Sequence, residues 1–183
     1  MPRNRQDVDR DVKVAEIRRT AVSILRDGGP TALSHSAVAK RLGLARTAIY
    51  WYFPTKDDLF VAALADVYAH DLGTPPDDDR VMPRLRWALE RLTALQPLTH
   101  ALHERAKHSQ AAADLEAGFL EAMTSRLRTL LALRVEPDQL DLVTATIVVF
   151  IEGLLVQPRS AQERQELLQF LVAELTHEPA DPV

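Results

Sequence analysis

Apolar residues recur along this chain at three- and four-residue spacing and rarely at spacing two, so the pattern predicts helices throughout and an all-α fold. Val14, Ile17, Ala21, Ile24 and Leu25 form the stripe of a first helix over 12–27. The sequence 28-GGP-30 ends it, because glycine admits a left-handed cap and proline forbids continuation. Ser34 is placed to cap a short helix over 35–42, with Val38 and Leu42 inward, and Gly43 breaks it. A second short helix follows over 45–52 and stops before Pro54. Thr55 can cap a longer helix over 56–72, with Asp57 and Asp58 in the first turn, where the helix dipole favours anions. The stretch 73-GTPPDDD-79 reads as a linker. Further helices are expected over 80–96, 98–108, 110–133, 138–156 and 160–177, punctuated by Pro97, Pro137 and Pro158. Ser160 and Glu163 have capping-box spacing, and the tail 178-EPADPV-183 is expected to fray.

Composition narrows the class. At 183 residues and 46% hydrophobic content the chain can bury a sizeable core. It has no cysteine, which removes disulfides, thiolate chemistry and Cys-containing zinc sites and fits a reducing cytosol. The run 147-IVVFI-151 is too short to span a membrane and is broken by Glu152. The N-terminal residues lack the apolar segment of a secretory signal. A cytoplasmic protein with no membrane partner and no cofactor is the expectation.

Net charge is −4, but its distribution is uneven. Residues 1–60 carry 11 Lys and Arg against 7 Asp and Glu, a balance of +4, and the remainder carries −8. A basic N-terminal third on an acidic body suits a nucleic-acid module joined to a partner domain, although a surface that merely varies gives the same numbers.

The aromatics sharpen this. Tyr50, Trp51, Tyr52 and Phe53 stand in four consecutive positions. Successive helical residues point about 100° apart, so four in a row cannot all enter one core. Helix 35–42, a turn at Gly43-Leu44 and helix 45–52 make a helix-turn-helix pattern. Ile49, Tyr52 and Phe53 fall toward one side of the second helix with Ala45, and Arg46, Thr47, Tyr50 and Trp51 toward the other. A basic residue, a hydroxyl and two aromatics make a poor solvent face and a good major-groove face. Arginine pairs bidentately with guanine, and rings touch thymine methyls. Tyrosine hydroxyls reach phosphates, and Lys56 adds an ammonium at a helix N-terminus. Ile49 and Phe53 are core positions; the angle of Trp51, opposite Ile49, favours DNA over core.

The stretch 33-LSHSAVAKRLGLARTAIYWYFPTKDDLFVAAL-64 resembles the DNA-binding domain of the TetR family of transcriptional regulators. The likeness rests on A-x-x-L-G around Ala39 to Gly43 and I-Y-x-Y-F-x-x-K-x-x-L from Ile49 to Leu59, and it covers roughly residues 12–64. It implies a three-helix DNA-binding domain (residues 1–56, including an N-terminal arm) and a helical ligand-binding and dimerisation bundle (residues 57–183). It further implies a homodimeric repressor on a palindromic operator of double-stranded DNA, released by a small-molecule effector. By position, Arg46, Thr47, Tyr50 and Trp51 would read bases, and His35, Ser36, Tyr52 and Lys56 would hold phosphates. Two departures stand out: Ala45 lacks the capping hydroxyl common there, and Ala48 is small where a base contact is possible. Arg3, Arg5 and Arg10 suit a backbone-contacting arm, weakened by Asp7, Asp9 and Asp11.

In the body, helix 138–156 is apolar nearly all round, with Leu140, Val143, Ile147, Ile151 and Leu154 on one stripe and Val148, Val149, Phe150 and Leu155 on another. Such a helix needs cover on both sides. With helix 160–177 it is expected to pair with its symmetry mate, through Ile147, Ile151, Leu154, Leu167, Leu171 and Leu175, the alternative being a bundle core within one chain. Glu152 interrupts the apolar run, either to meet a basic group across a dimer or to enter a cavity. Tyr68, Trp87, Leu92, His103, Phe119 and Met123 are candidates to line an effector pocket. His100, His103, Glu104 and His108 recur at helical spacing, but beside Arg105 and Lys107 they read as a wet polar face, and no metal is expected. No nucleophile elbow, phosphate loop or H-E-x-x-H is present, so an enzyme is not expected. The alternative is a constitutive or architectural DNA-binding protein with no effector.

Overall fold

In a computed structural model, residues 5–176 are described, with side chains from Arg10 onward. The arm residues Arg3 and Arg5 and the tail 178–183 therefore lie outside the described side chains. Among the described residues there are eight α-helices and no strand. They are α1 (Arg5–Ala32), α2 (His35–Leu42), α3 (Arg46–Tyr52), α4 (Lys56–Asp71), α5 (Val81–Ala106), α6 (Gln110–Leu131), α7 (Leu140–Val156) and α8 (Ala161–Thr176).

Most boundaries follow local chemistry. The backbone of α1 leaves helical geometry at Gly29, where φ is 71° and ψ −174°, a conformation that only glycine adopts readily. Ser34 accepts from the amide of Ala37 at 3.1 Å and caps α2. Thr55 and Asp58 form a reciprocal capping box at the start of α4, and Ser160 and Glu163 form another before α8. Pro97 is the exception. The expected helices 80–96 and 98–108 are one continuous α5. Proline removes one hydrogen bond from the ladder, but Leu98 and Leu102 are buried directly after it, and burial outweighs propensity.

The chain divides into two compact units. The first comprises the residues up to Gly73 together with Pro97–Glu116. In it α1 packs on α2 and α4, and α2 packs on α3. Ile17, Leu33, Val38, Ile49, Leu59, Phe60 and Leu64 are among its fully buried side chains. Arg18 forks onto Asp66 and Arg26 meets Asp71 at 2.7 Å, so two ion pairs tie α1 to α4 along its length. The second unit comprises Thr74–Gln96 and the residues from Ala117 onward. Its core joins Val81, Leu85 and Leu89 of α5, Leu127 and Leu131 of α6, Leu140, Val143, Ile147 and Leu154 of α7, and Leu168 and Val172 of α8. These packing units do not coincide with the two modules expected to divide at residue 56.

The second unit changes the surface expected for dimerisation. Ile147 and Leu154 are buried inside the chain's own core, and Ile151, Leu167, Leu171 and Leu175 are half-buried against that core. An all-round apolar helix does not announce which stripe faces inward, and here the stripe through Ile147 does. The outward stripe of α7 is Leu142, Val149 and Val156, which are 72%, 66% and 80% exposed, with Phe170 of α8 at 68%.

Candidate nucleic-acid interface

The turn between α2 and α3 rests on Gly43, in the left-handed region at φ 65°. The following amide, Leu44, donates to the carbonyl of Ala39 at 2.9 Å and closes the end of α2. The N-cap of α3 is Ala45, which supplies no side-chain hydrogen bond, so the cap missing from the sequence is missing in the structure. Ile49 and Phe53 anchor α3 in the core. Arg46, Thr47, Tyr50 and Trp51 remain exposed on its other side.

These four are not equivalent. Arg46 Nη2 donates to the hydroxyl of Tyr50 at 2.6 Å, with its guanidinium carbon 5.1 Å from the Tyr50 ring centre. Tyr50 in turn lies flat on the imidazole of His35, centroids 4.0 Å apart and planes within 9°. Trp51 is 66% exposed, carries the edge of Tyr52 at 4.8 Å, and has the guanidinium of Arg10 5.3 Å from its ring centre. Thr47 is exposed one turn before Trp51.

His35 requires a correction. It was expected on a phosphate; the structure buries it to 4% exposure and joins its Nε2 to the carbonyl oxygen of Phe53 at 2.8 Å. A carbonyl has no proton, so Nε2 carries the hydrogen and donates it. The signal was present in the sequence. His35 precedes Val38 by three and Leu42 by seven, which puts it on the apolar stripe of α2.

Ser36 and Lys56 are exposed, and Tyr52 is half-buried. Lys56 is the first residue of α4, whose start is fixed by the Thr55–Asp58 box. A helix N-terminus with an adjacent ammonium has the chemistry to hold an anionic oxygen. Arg41, also on α2, is engaged elsewhere, with Ser23 at 2.8 Å and Asp27 at 3.0 Å. Arg10, proposed only as part of an arm, is placed by its ring contact with Trp51.

The effector candidates fall in different units. In the first, Tyr68 is buried and its hydroxyl donates to Thr99 at 3.5 Å; burial pushes that phenol above its usual range. His103 is exposed and meets Glu116 at 3.1 Å. In the second unit, Leu92, Phe119 and Met123 are half-buried. Trp87 lines a surface cleft of about 290 Å³ with Arg80, Pro83, Arg86 and Glu90. Among the described residues no three histidines or carboxylates converge as metal ligands; Glu104 instead takes Lys107 at 2.6 Å. No described helix is long and apolar enough to cross a membrane. Glu152 is exposed on α7.

Against known proteins, residues 17–63 match the family model described as bacterial regulatory proteins, tetR family. The tetracycline repressor protein class C of Escherichia coli is 41% identical over 64 residues, a match covering 33% of this chain and 29% of the repressor. The chain thus spans less than a third of the length of that curated relative. A transcriptional regulator from Rhodococcus sp. Rha1 has the same fold over 91% of this chain and 99% of its own, with TM-score 0.69 and 19% identity. A TetR transcription regulator from Haloarcula marismortui does so over 90% and 98%, with TM-score 0.69 and 18% identity. A protein from Saccharomonospora viridis, solved in complex with choline, covers 88% and 96%, with TM-score 0.60 and 17% identity. The all-helical architecture, with its helix-turn-helix near the N-terminus, is that of these regulators.

Proposed function

We propose, for a chain whose residues 17–63 belong to the tetR family of bacterial regulatory proteins, that it is a transcriptional regulator which binds a palindromic operator as a homodimer. It acts as a repressor, and a small molecule bound in the helical body releases it. The observation that carries this reading is the division of α3: Ile49 and Phe53 are buried while Arg46, Thr47 and Trp51 face outward. Arg46 has the donors to read guanine, and Thr47 and Trp51 have the apolar edges to meet thymine methyls. Ser36, Tyr52 and Lys56 fix register through phosphates, which specify no sequence by themselves.

A single α3 reads one half-site. Two half-sites one helical turn apart, at roughly 34–36 Å, call for two chains. The exposed stripe Leu142, Val149, Val156 and Phe170 is the surface we assign to that dimer. Glu152 lies on the same exposed side of α7, where a basic group of the second chain would neutralise it.

The choline complex of the Saccharomonospora viridis protein belongs to that protein; its fold, shared here, accommodates a small molecule. Trp87 is the candidate that lines a cleft, with Arg80, Pro83, Arg86 and Glu90.

The test is a footprint of the purified chain on the DNA flanking its own coding region. Protection of an inverted repeat, lost in Arg46→Ala while the variant keeps its helical spectrum, supports the assignment. Unchanged protection by Arg46→Ala removes Arg46 from the groove.

A further inference from the structure

We infer that His35 and Tyr50 are positioning residues that set the aim of Arg46, and hence determinants of operator sequence preference rather than DNA contacts in their own right. The inference rests on the reading of α3 as the base-reading helix. Three contacts form one chain. His35, the first residue of α2, donates from Nε2 to the carbonyl of Phe53, the residue that closes α3. The flat of its ring supports Tyr50 at 4.0 Å, and the Tyr50 hydroxyl accepts from Arg46 Nη2 at 2.6 Å.

Each link has a distinct physical job. The Nε2–carbonyl bond ties the start of one helix to the end of the other across the turn, in a buried place where a lost partner is costly. The stack fixes the Tyr50 ring angle, since parallel rings in contact resist rotation. The hydroxyl then holds one fork of a side chain that otherwise samples many rotamers. Arg46 starts its helix with no capping side chain before it, and the first turn is closed by the backbone bond from the Ala48 amide to the Ala45 carbonyl at 3.0 Å, which leaves the arginine side chain itself unrestrained. Preorganisation of this kind improves discrimination by lowering the ordering cost of the correct pairing.

The experiment uses the full chain and compares three quantities: affinity for the operator, affinity for the same duplex with the guanine assigned to Arg46 replaced, and affinity for unrelated duplex at the same salt. Tyr50→Phe keeps the ring and removes the hydroxyl. His35→Phe keeps a ring and removes the donor, and His35→Gln keeps an amide donor at comparable reach. Tyr50→Phe is expected to reduce the operator preference by roughly tenfold, within the range of one good base contact, and to leave unrelated duplex unchanged. His35→Phe is expected to act in the same direction, and His35→Gln, which returns the donor without the stacked ring, to recover only part of the preference. A merely structural His35 would alter melting but not the preference of the folded protein. If His35→Phe does not fold, Tyr50→Phe at the half-exposed ring carries the test. Wild-type preference in Tyr50→Phe or His35→Phe, while Arg46→Ala loses it, overturns the inference and leaves the function standing. Wild-type preference in Arg46→Ala overturns both.

Discussion

Arg105, in the last turn of α5, donates from Nη1 to the carboxylate of Asp57, in the first turn of α4. Its guanidinium carbon also lies 4.4 Å from the ring centre of the fully buried Phe60. Asp57 is the neighbour of Lys56, so the last turn of α5, within the first unit, reaches the residue beside a proposed phosphate contact. Both side chains of the pair are mostly covered, at 21% and 33% exposure. A double-mutant cycle with Arg105→Ala and Asp57→Ala is expected to return a coupling of about 1 kcal/mol, read by urea unfolding. The same substitutions should blunt release of DNA by effector more than they weaken binding without it. A cycle that sums to zero would remove this pair from the coupling.

Gly43 sits at φ 65° with open space where a Cβ would go. Gly43→Ala therefore meets backbone strain and no clash, at a cost of about 1–2 kcal/mol. Gly43→Asn should cost less, because asparagine tolerates that region better. Chemical denaturation of the two variants checks the order.

Helix placement was readable in the sequence because caps are local: Ser34, Thr55 and Ser160 each act within three residues. The groups facing outward from α3 were readable for the same reason, since Ile49 fixes the helix angle. His35 and Ile147 were misplaced for a shared reason. A histidine on an apolar stripe, or an apolar helix with two stripes, has its inward side decided by partners far along the chain: Phe53 for His35, and α5, α6 and α8 for Ile147. Pro97 belongs with them, since the burial of Leu98 and Leu102 is a tertiary fact.

That distinction is testable on α7. Ile147→Ala is expected to destabilise each chain by about 2–5 kcal/mol, as a cavity in a packed core does. Val149→Glu, on the exposed stripe, should leave the folded chain intact and shift sedimentation from dimer to monomer. Sedimentation of Val149→Glu as a dimer would place the interface elsewhere.

At α8, the amide and hydroxyl of Ser160 both donate to Glu163 and hold its carboxyl below the usual carboxylate range. A depressed folded value means the contribution is present above the unfolded value, near pH 4.3, and is lost as pH falls through the folded one. The melting difference between wild type and Glu163→Ala should therefore be present at neutral pH and close on acidification. A difference that stays constant to low pH would show that the cap acts without its charge.

Lys56→Ala should weaken binding about equally on all duplexes and reduce the salt slope by about one per half-site. Trp51→Ala should instead lower preference for the operator with little change in that slope. Titrations at several salt concentrations separate the two.

The most direct measurement is selection of binding sites from random duplex DNA by the wild-type chain, in parallel with an Arg46→Ala, Trp51→Ala double variant. The wild type is predicted to enrich an inverted repeat whose half-sites lie about one helical turn apart, and the double variant to enrich none. Recovery of an unenriched pool by the wild type, or of the same repeat by the double variant, would contradict sequence reading by α3.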